Sequence, residues 1–385
     1  SVVGTDGTGT VTVTGMNSTW THTGGLSVGQ FAGTGMLTIA DGGMVSTNTS
    51  ARFGGIFPGG RGTLTVTGTG STMTVGTDLT VGGVGSTGTL TIANGGAVKV
   101  AGKTDIASGA GSTGTLNIGS AAGDAPEAPG TLSSSSLAFG PGDGRLTFNH
   151  TDLSKSFAFD PAISGKGKID HLAGYTTLTG DSSGFTGTMT VDGGTLAIQN
   201  KLGGDVSVMS GGTLGGSGIL TGDLLVRSGA TVAPGMSIGT LTVNGNYEQL
   251  SGGTLAIEIA PDGSANDLLA VGGTAQLAGT LTAQSENGSL LTPAAAGTAT
   301  SPQVYTILTA TGGVSGQFDT DPAPLGAFTF DTTYNADNVQ LGVIYAGFTS
   351  VQTGAALTPP GTTPVTIPGT GTTNQVSKAN ALDKA

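Results

Sequence analysis

One segment of the sequence has the residue types of a nucleophilic active site. Residues 180–184 read GDSSG, close to the GDSGG sequence around the nucleophile of serine proteases. A serine nucleophile needs a histidine base within hydrogen-bonding distance and a third group that orients this base. His171 precedes the segment by nine residues. The alternative is a turn between a strand that ends at Thr179 and an edge that begins at Phe185. Because this turn accounts for all five residues, we expect no catalytic residue here.

Acidic residues come close together at two other places, Asp262 with Asp267 and Asp319 with Asp321. Neither pair has the pattern of an EF-hand or of the calcium-binding nonapeptide repeat, and aspartate is common in turns. We therefore expect no metal, no cofactor and no enzyme activity. Paired carboxylates that act on a polysaccharide remain an open alternative, although no acidic cluster has a suitable register.

The composition excludes several function classes. The 385 residues include 73 glycines and no cysteine, and only 9% are charged. Without cysteine there is neither a disulfide framework nor thiol chemistry. The net charge of −12 disfavours nucleic acid as a partner. Leucine, valine and isoleucine recur at short intervals throughout, which favours many short strands over disorder.

A repeat governs the first third of the chain. The first apolar residue of one strand in each repeat recurs with a nearly constant period of about 26 residues. This period is within the range of known solenoid repeats. A second series has the same period, and a third short strand falls between the two. Three strands in each constant period are typical of a solenoid. The first series is Val11, Leu37, Leu64, Leu90 and Leu116, and the second is Leu26, Phe53, Leu79 and Ile106.

Apolar and polar residues alternate within each strand, so that one face is buried and the other faces water. Strands that return once per coil pair in parallel, and parallel crossovers are right-handed. The sequence therefore predicts an all-β fold, a right-handed parallel β-helix with a C-terminal capping region. The predicted segments are regular repeats at 1–120, a Pro/Ala/Gly loop at 121–130, further β-helix at 131–220, a cap at 221–345, and a linker with a short helix at 346–385.

Threonines recur as T-x-T on equivalent strands, which predicts a ladder of side chains on the outer surface. Such flat arrays resemble the surface of ice-binding solenoids, which is one alternative. The other is that threonine is a good polar residue for any strand. Met36 and Asn117 interrupt the columns. The candidate surface residues are Thr10, Thr12, Thr38, Thr63, Thr65, Thr89, Thr91 and Thr115.

From about residue 174 the sequence resembles the passenger domain of bacterial autotransporters (type V secretion). Residues 175–198 are similar to the autotransporter-associated β-strand repeat, and residues 225–245 to the P-G-x-S-x-G-x-L-x-V-x-G segment. In that family this region is the autochaperone, the cap that folds first outside the outer membrane. The residues that carry the resemblance to its motifs are Pro234, Gly235, Ser237, Gly239, Leu241, Asp267, Tyr305, Gly312, Gly313 and Phe318.

The resemblance implies an exported protein at the bacterial cell surface, anchored by its own outer-membrane β-barrel beyond residue 385. It also implies that residues 221–345 promote folding and export. The role that it implies is adhesion, with host cell-surface or matrix glycans or proteins as partners, or self-association with another copy. The main alternative is a purely structural stalk or export module for a binding head elsewhere.

Overall fold

The computed structural model describes residues 1–55, 57–298 and 300–345, and it forms one long parallel β-helix. In this described part, the helical elements are two short 3-10 turns, Glu286–Gly288 and Pro293–Ala295. No helix among these residues has the length and apolar character needed to cross a membrane. The predicted linker and helix at 346–385 lie outside the described residues. The predicted parallel β-helix is confirmed.

One sheet of 13 strands runs the whole length of the solenoid, with each strand contributed by one coil. All of its pairings are parallel. We call it the long sheet. Its strands are Thr8–Thr14, Thr34–Ala40, Arg61–Thr67, Thr87–Ala93, Thr113–Gly119, Asp143–Asn149, Lys168–Ala173, Thr188–Val191, Asp205–Val208, Leu224–Val226, Tyr247–Gln249, Ala275–Leu277 and Val314–Gly316.

Two shorter sheets complete the first half of the solenoid. Sheet A has seven strands and sheet C has five. The strands of sheet A are Val2–Val3, Leu26–Val28, Ala51–Phe53, Leu79–Val81, Thr104–Ile106, Ser136–Phe139 and Ala162–Ser164. The strands of sheet C are Thr19–His22, Met44–Thr47, Thr72–Val75, Ala97–Val100 and Thr131–Ser133.

Two different sheets, E and G, replace them in the second half, and each has seven strands. The strands of sheet E are Ala158–Phe159, Tyr175–Leu178, Gly194–Ile198, Gly212–Gly216, Thr231–Pro234, Thr254–Ile259 and Thr280–Ser285. The strands of sheet G, in spatial order, are Lys201–Leu202, Ile219–Leu220, Thr240–Val243, Leu268–Val271, Gln303–Ala310, Asn338–Tyr345 and Phe328–Tyr334.

Columns of identical or similar apolar residues form the core. Leu37, Leu64, Leu90 and Leu116 occupy equivalent register positions and are fully buried. Burying one such side chain contributes about 1.5–3 kcal/mol relative to leaving it exposed. The glycine at the second position of each of these strands is required by packing. A Cβ on Gly88 would overlap the backbone of the adjoining coil corner.

The last strands depart from the parallel pattern. Asn338–Tyr345 lies between Gln303–Ala310 and Phe328–Tyr334 and pairs antiparallel with both. This arrangement satisfies backbone groups of the final parallel strand of sheet G, which a plain coil end would leave unpaired. The repeat pattern did not indicate this reversal of direction.

Candidate functional site: a threonine face beside an aromatic corner

The long sheet places the candidate threonines in two columns. In the first column Thr10, Met36, Thr63, Thr89 and Thr115 are register partners on five successive strands. In the second column the partners are Thr12, Thr38, Thr65, Thr91 and Asn117. We call the eight threonines of these columns the threonine face.

The threonine face is a regular array of side chains. Neighbouring strands lie about 4.8 Å apart, and residues two apart on one strand point to the same side. Buried leucine, isoleucine and valine residues alternate with the threonines, so that the hydroxyl groups point outward. Asn117 closes the second column and donates a hydrogen bond from Nδ2 to Thr91 Oγ1 at 3.1 Å. The next coil places Arg145 and Thr147 at these positions, so that the array ends there.

An exposed apolar corner borders the threonine face at the start of its strands. The rings of Phe31 and Phe57 stack with 4.4 Å between centroids and 8° between planes. Phe31 is 40% exposed, Phe57 42%, and Val84 at the next corner 51%. Phe31 also has φ of 49°, a conformation that costs energy in a bulky residue. We call these three residues the aromatic corner.

The sequence analysis did not predict the aromatic corner. The signal that could have found it is the position of the three residues, since each lies in the corner that precedes a repeat strand. Such a cluster is uncommon in a chain with only 5% aromatic residues. Exposed apolar side chains that lie together are a frequent mark of an interaction surface.

The GDSSG segment lies in the loop between Tyr175–Leu178 and Thr188–Val191. Ser182 is buried, and its Oγ accepts a hydrogen bond from the backbone N–H of Ile163 at 2.9 Å. The backbone N–H of exposed Ser183 donates to Asp181 Oδ1 at 3.1 Å. Ser182 thus holds the loop against the preceding coil.

A buried chain of hydrogen bonds joins two of the three histidines, and we call it the histidine relay. His171 Nδ1 lies 2.8 Å from the carbonyl oxygen of Gly193, which can only accept, so Nδ1 carries the proton. The Thr176 hydroxyl therefore donates to Nε2 of neutral His171 at 3.1 Å and accepts from Nε2 of His150 at 2.8 Å. The backbone N–H of Asp152 completes the chain at His150 Nδ1, at 3.3 Å.

This network is satisfied when both rings are neutral. Burial lowers the pKa of His150 to about 4, against a smaller opposing effect of the Asp152 charge. Burial also lowers the pKa of His171 to about 4. The backbone hydrogen bond to Gly193 opposes that shift, and His150 adds to it. The relay therefore joins two coils through uncharged groups at neutral pH.

A second buried polar network involves the autochaperone motif. Asp267 is fully buried, and its two oxygens accept hydrogen bonds from the backbone N–H groups of Gly239, at 2.9 Å, and Glu258, at 2.8 Å. Desolvation raises the pKa of Asp267 to about 7, although these two hydrogen bonds oppose the shift. Ser237 donates a hydrogen bond to Glu286 beside this group. Asp267 thus ties the segment after Pro234 to the following coil, which contains both Asp267 and Glu258.

The remaining motif residues lie at separate places. Pro234 ends a strand of sheet E, Gly235 follows with φ of 84°, and Leu241 is fully buried in sheet G. The Tyr305 hydroxyl donates to the carbonyl of Ala295 at 2.8 Å.

Nearer the end of the cap, Gly312 donates its backbone N–H to Gly273. Gly313 has φ of 100°. The backbone N–H of Phe318 donates to the Tyr334 hydroxyl at 3.1 Å. The motif residues therefore form several contacts along the cap and do not converge on one site.

The acidic pairs do not form a ligand cluster. Asp262 accepts hydrogen bonds from Ser264 in its own turn, and Asp319 accepts from Ser251 and from the backbone of Gly279. Within the described ranges, no group of three histidine, aspartate or glutamate side chains is placed to hold a metal ion.

The sequence is 36% identical over 313 residues to the adhesin BmaC autotransporter of Brucella suis biovar 1 (strain 1330). The aligned region makes up 75% of this chain and 9% of the length of that relative. A crystal structure of a TibC-catalysed, hyper-glycosylated TibA fragment matches with a TM-score of 0.39 and 13% identity, and the match covers 82% of this chain and 97% of that chain. No protein-family model matches the chain. The relative confirms the predicted resemblance to autotransporters.

Proposed function

We propose that this chain, a relative of an autotransporter adhesin, is a surface-displayed adhesive segment that acts by binding and not by catalysis. The observation that carries the proposal is the threonine face together with the aromatic corner beside it. These two features supply hydroxyl groups and exposed apolar groups on a rigid scaffold. Such a surface makes many weak contacts, whose effects add when several copies are displayed together.

The relative's description as an adhesin supports this role, and the position of the array does as well. The threonine face and aromatic corner occupy the first five coils, and the cap lies at the opposite end of the described solenoid. In a chain anchored beyond residue 385, the array would therefore lie far from the membrane. The partner would be a host cell-surface or matrix glycan or protein, or another copy of the chain.

A binding role without catalysis is supported by the contacts of the candidate catalytic residues. Ser182 Oγ is engaged by the backbone of Ile163, and His171 is engaged by Thr176 and Gly193. Both side chains therefore have roles in joining coils.

We further propose that residues 221–345 promote folding and export. The support is the closure of the solenoid by antiparallel strands and the buried contacts of Asp267. A terminal unit that is stable by itself would provide a template on which earlier coils can stack.

The test is adhesion of beads coated with the full chain to cultured host cells, to matrix proteins and to beads coated with the same chain. One variant combines Thr63→Glu with Thr115→Glu, two strands apart on the threonine face. A second combines Phe31→Ala with Phe57→Ala. The matched control combines Thr213→Glu with Thr254→Glu, two half-buried threonines that lie two strands apart on sheet E.

Both test variants should reduce adhesion at least tenfold, whereas the control should stay within twofold of the unmodified chain. The surface to which the unmodified chain adheres identifies host contact or self-association. If the folded chain adheres to none of the three surfaces, the chain is a stalk. If the control loses as much adhesion as the test variants, neither the threonine face nor the aromatic corner is the specific adhesive surface.

A further inference from the structure

A surface recess lies on the solenoid where the threonine face ends. Its volume is about 490 Å³, and it spans three successive coils. Its lining is contributed by residues 140–144, 166–168 and 186–188. We call it the corner recess, because it lies where the chain turns from sheet A into the long sheet. It is separate from both the threonine face and the aromatic corner.

The recess arises from a change in corner length. The four preceding corners between sheet A and the long sheet take five to seven residues, at 29–33, 54–60, 82–86 and 107–112. The next two corners take three residues each, at 140–142 and 165–167. The surface therefore steps inward after residue 112, and the longer corner forms a wall beside it. A Cβ on Gly142 would contact the side chain of Ser112.

The floor of the recess is backbone because a ring lies directly beneath it. Phe139 is buried, and a Cβ on Gly167 would overlap its ring. Glycine at this position lets the backbone lie directly on the buried ring, which leaves main-chain polar groups near the surface. Thr186 and Thr188 line the opposite side.

Two lysines dominate the charge of the lining. Lys166 and Lys168 are exposed, and the ion pairs among the described residues involve neither of them. Asp143 is the acidic residue of the lining. Lys168 is also the direct register partner of Arg145, which pairs with Asp170 at 2.6 Å. Like charges directly opposite on neighbouring strands are destabilising. An anion bound beside Lys168 would add to the neutralisation that Asp170 provides at Arg145.

We propose that the corner recess binds an acidic saccharide, a sugar unit that carries a carboxylate or a sulfate group. The volume is in the range of small-molecule sites. The two ammonium groups bind the anionic substituent through charge-assisted hydrogen bonds. The Asp143 carboxylate accepts hydrogen bonds from sugar hydroxyls, and the threonine hydroxyls and the floor backbone supply further partners.

This inference goes beyond the proposed function, because it adds a ligand class and a site outside the proposed adhesive surface. The recess is open to solvent, so a single site binds weakly. A repeating acidic polysaccharide would engage many displayed copies and gain strength from that multiplicity. The two proposals are independent. The recess can prove not to bind acidic saccharides while the threonine face mediates adhesion, and the recess can bind them while the threonine face does not mediate adhesion.

The test measures binding of the full chain to immobilised hyaluronan, which carries carboxylates, to dextran sulfate, and to neutral dextran. The site variant combines Lys166→Gln with Lys168→Gln. Its matched control combines Lys99→Gln with Lys103→Gln, which removes the same charge from two exposed lysines elsewhere. A third variant, Thr186→Tyr, fills the recess without changing charge.

The expected result is binding to at least one acidic polysaccharide and none to neutral dextran. The site variant and Thr186→Tyr should each weaken this binding at least tenfold, and the control should stay within twofold. The acidic polymer that binds identifies the anionic group. Equal weakening in site variant and control would show general charge attraction and overturn the proposal. Unchanged binding in the site variant, or binding to neither acidic polymer, would also overturn it.

Discussion

The two halves of the solenoid share one sheet but build their interiors differently. In the first half, equivalent positions from Val11 to Leu116 recur at a nearly constant interval. In the second half, equivalent positions from Tyr175 to Thr280 recur at unequal intervals, so that some coils are longer than others. Among the described residues, buried ionisable side chains begin only with His150. The regular half is thus held together by apolar columns and the irregular half also by specific polar contacts.

This difference indicates that the two halves have different roles. Identical coils present identical side chains at fixed spacing, which suits a repetitive binding surface such as the threonine face. Coils of unequal length cannot stack by repetition alone, and buried hydrogen bonds with fixed geometry define their register. The histidine relay and Phe148 lie where sheets A and C give way to sheets E and G. We call the residues 148–178 the seam.

The largest expected effect comes from a cavity at the seam. Phe148 is fully buried and packs edge to face against Phe159, with 5.2 Å between ring centroids. Phe148→Ala should lower the free energy of unfolding by about 3–5 kcal/mol. It should also separate the unfolding of the two halves, because it weakens the contact between them. Guanidinium titration checks this, with Trp20 fluorescence reporting on the first half and circular dichroism on the whole chain.

The matched control for the seam is Leu90→Ala, in the middle of the regular half. It should move the Trp20 transition to lower denaturant concentration. If Phe148→Ala leaves the fluorescence and circular dichroism transitions coincident, the two halves are one cooperative unit and the comparison above is wrong.

The next effect concerns Asp267. Asp267→Ala leaves two backbone N–H groups without their acceptor and should cost about 2–4 kcal/mol of stability. Asp267→Asn retains one acceptor oxygen and should cost less. Exposed Asp321→Asn is the control and should change stability by less than about 0.5 kcal/mol. Denaturant titration at pH 7 compares the three variants, and equal effects of Asn at both positions would contradict the assigned role.

Asp267 also predicts a pH dependence. Its pKa is raised in the folded protein to about 7, above the ordinary value of 3.8. The folded state therefore binds this proton more tightly than the unfolded state. The stability from this group is complete below pH 3.8 and is lost as pH rises through 7. Asp267→Asn should abolish that loss, which stability measurements from pH 4 to pH 8 would detect.

The histidine relay predicts the opposite dependence. The pKa values of His150 and His171 fall to about 4 from an ordinary 6.5, so the unfolded state binds these protons more tightly. Stability should fall as pH decreases from 6.5 to 4, by on the order of 3 kcal/mol for each histidine.

The double variant His150→Gln with His171→Gln should remove this loss of stability in acid. The single variant Asp267→Asn should retain it. Thermal unfolding between pH 4 and pH 7 distinguishes the two variants. A loss of equal size in the double variant would assign acid sensitivity to other groups.

The smallest expected effect is on the threonine face. Thr38→Val with Thr65→Val replaces two half-buried hydroxyls by methyl groups on adjacent strands and should change stability by less than about 0.5 kcal/mol per residue. The same variant should weaken adhesion measurably in the bead assay. A loss of stability well beyond this range would mean that the columns stabilise the fold and are not primarily a binding surface.

The sequence by itself determined the fold class and the outward columns. Alternation places Leu64 and Leu90 inward and Thr63 and Thr65 outward, and a constant period stacks equivalent residues. Both properties are local or strictly periodic, so they can be read without coordinates. The resemblance to autotransporters came from ordered motifs in the second half and agrees with the relative found for this chain.

Only the tertiary structure decided the contacts that depend on corners. The stacking of Phe31 on Phe57, the corner recess, the histidine relay and the antiparallel closing strands all join residues from different coils. Their geometry depends on how many residues each corner takes and in which direction it turns. The period does not encode these quantities, because corners vary from coil to coil while the strands between them remain in register.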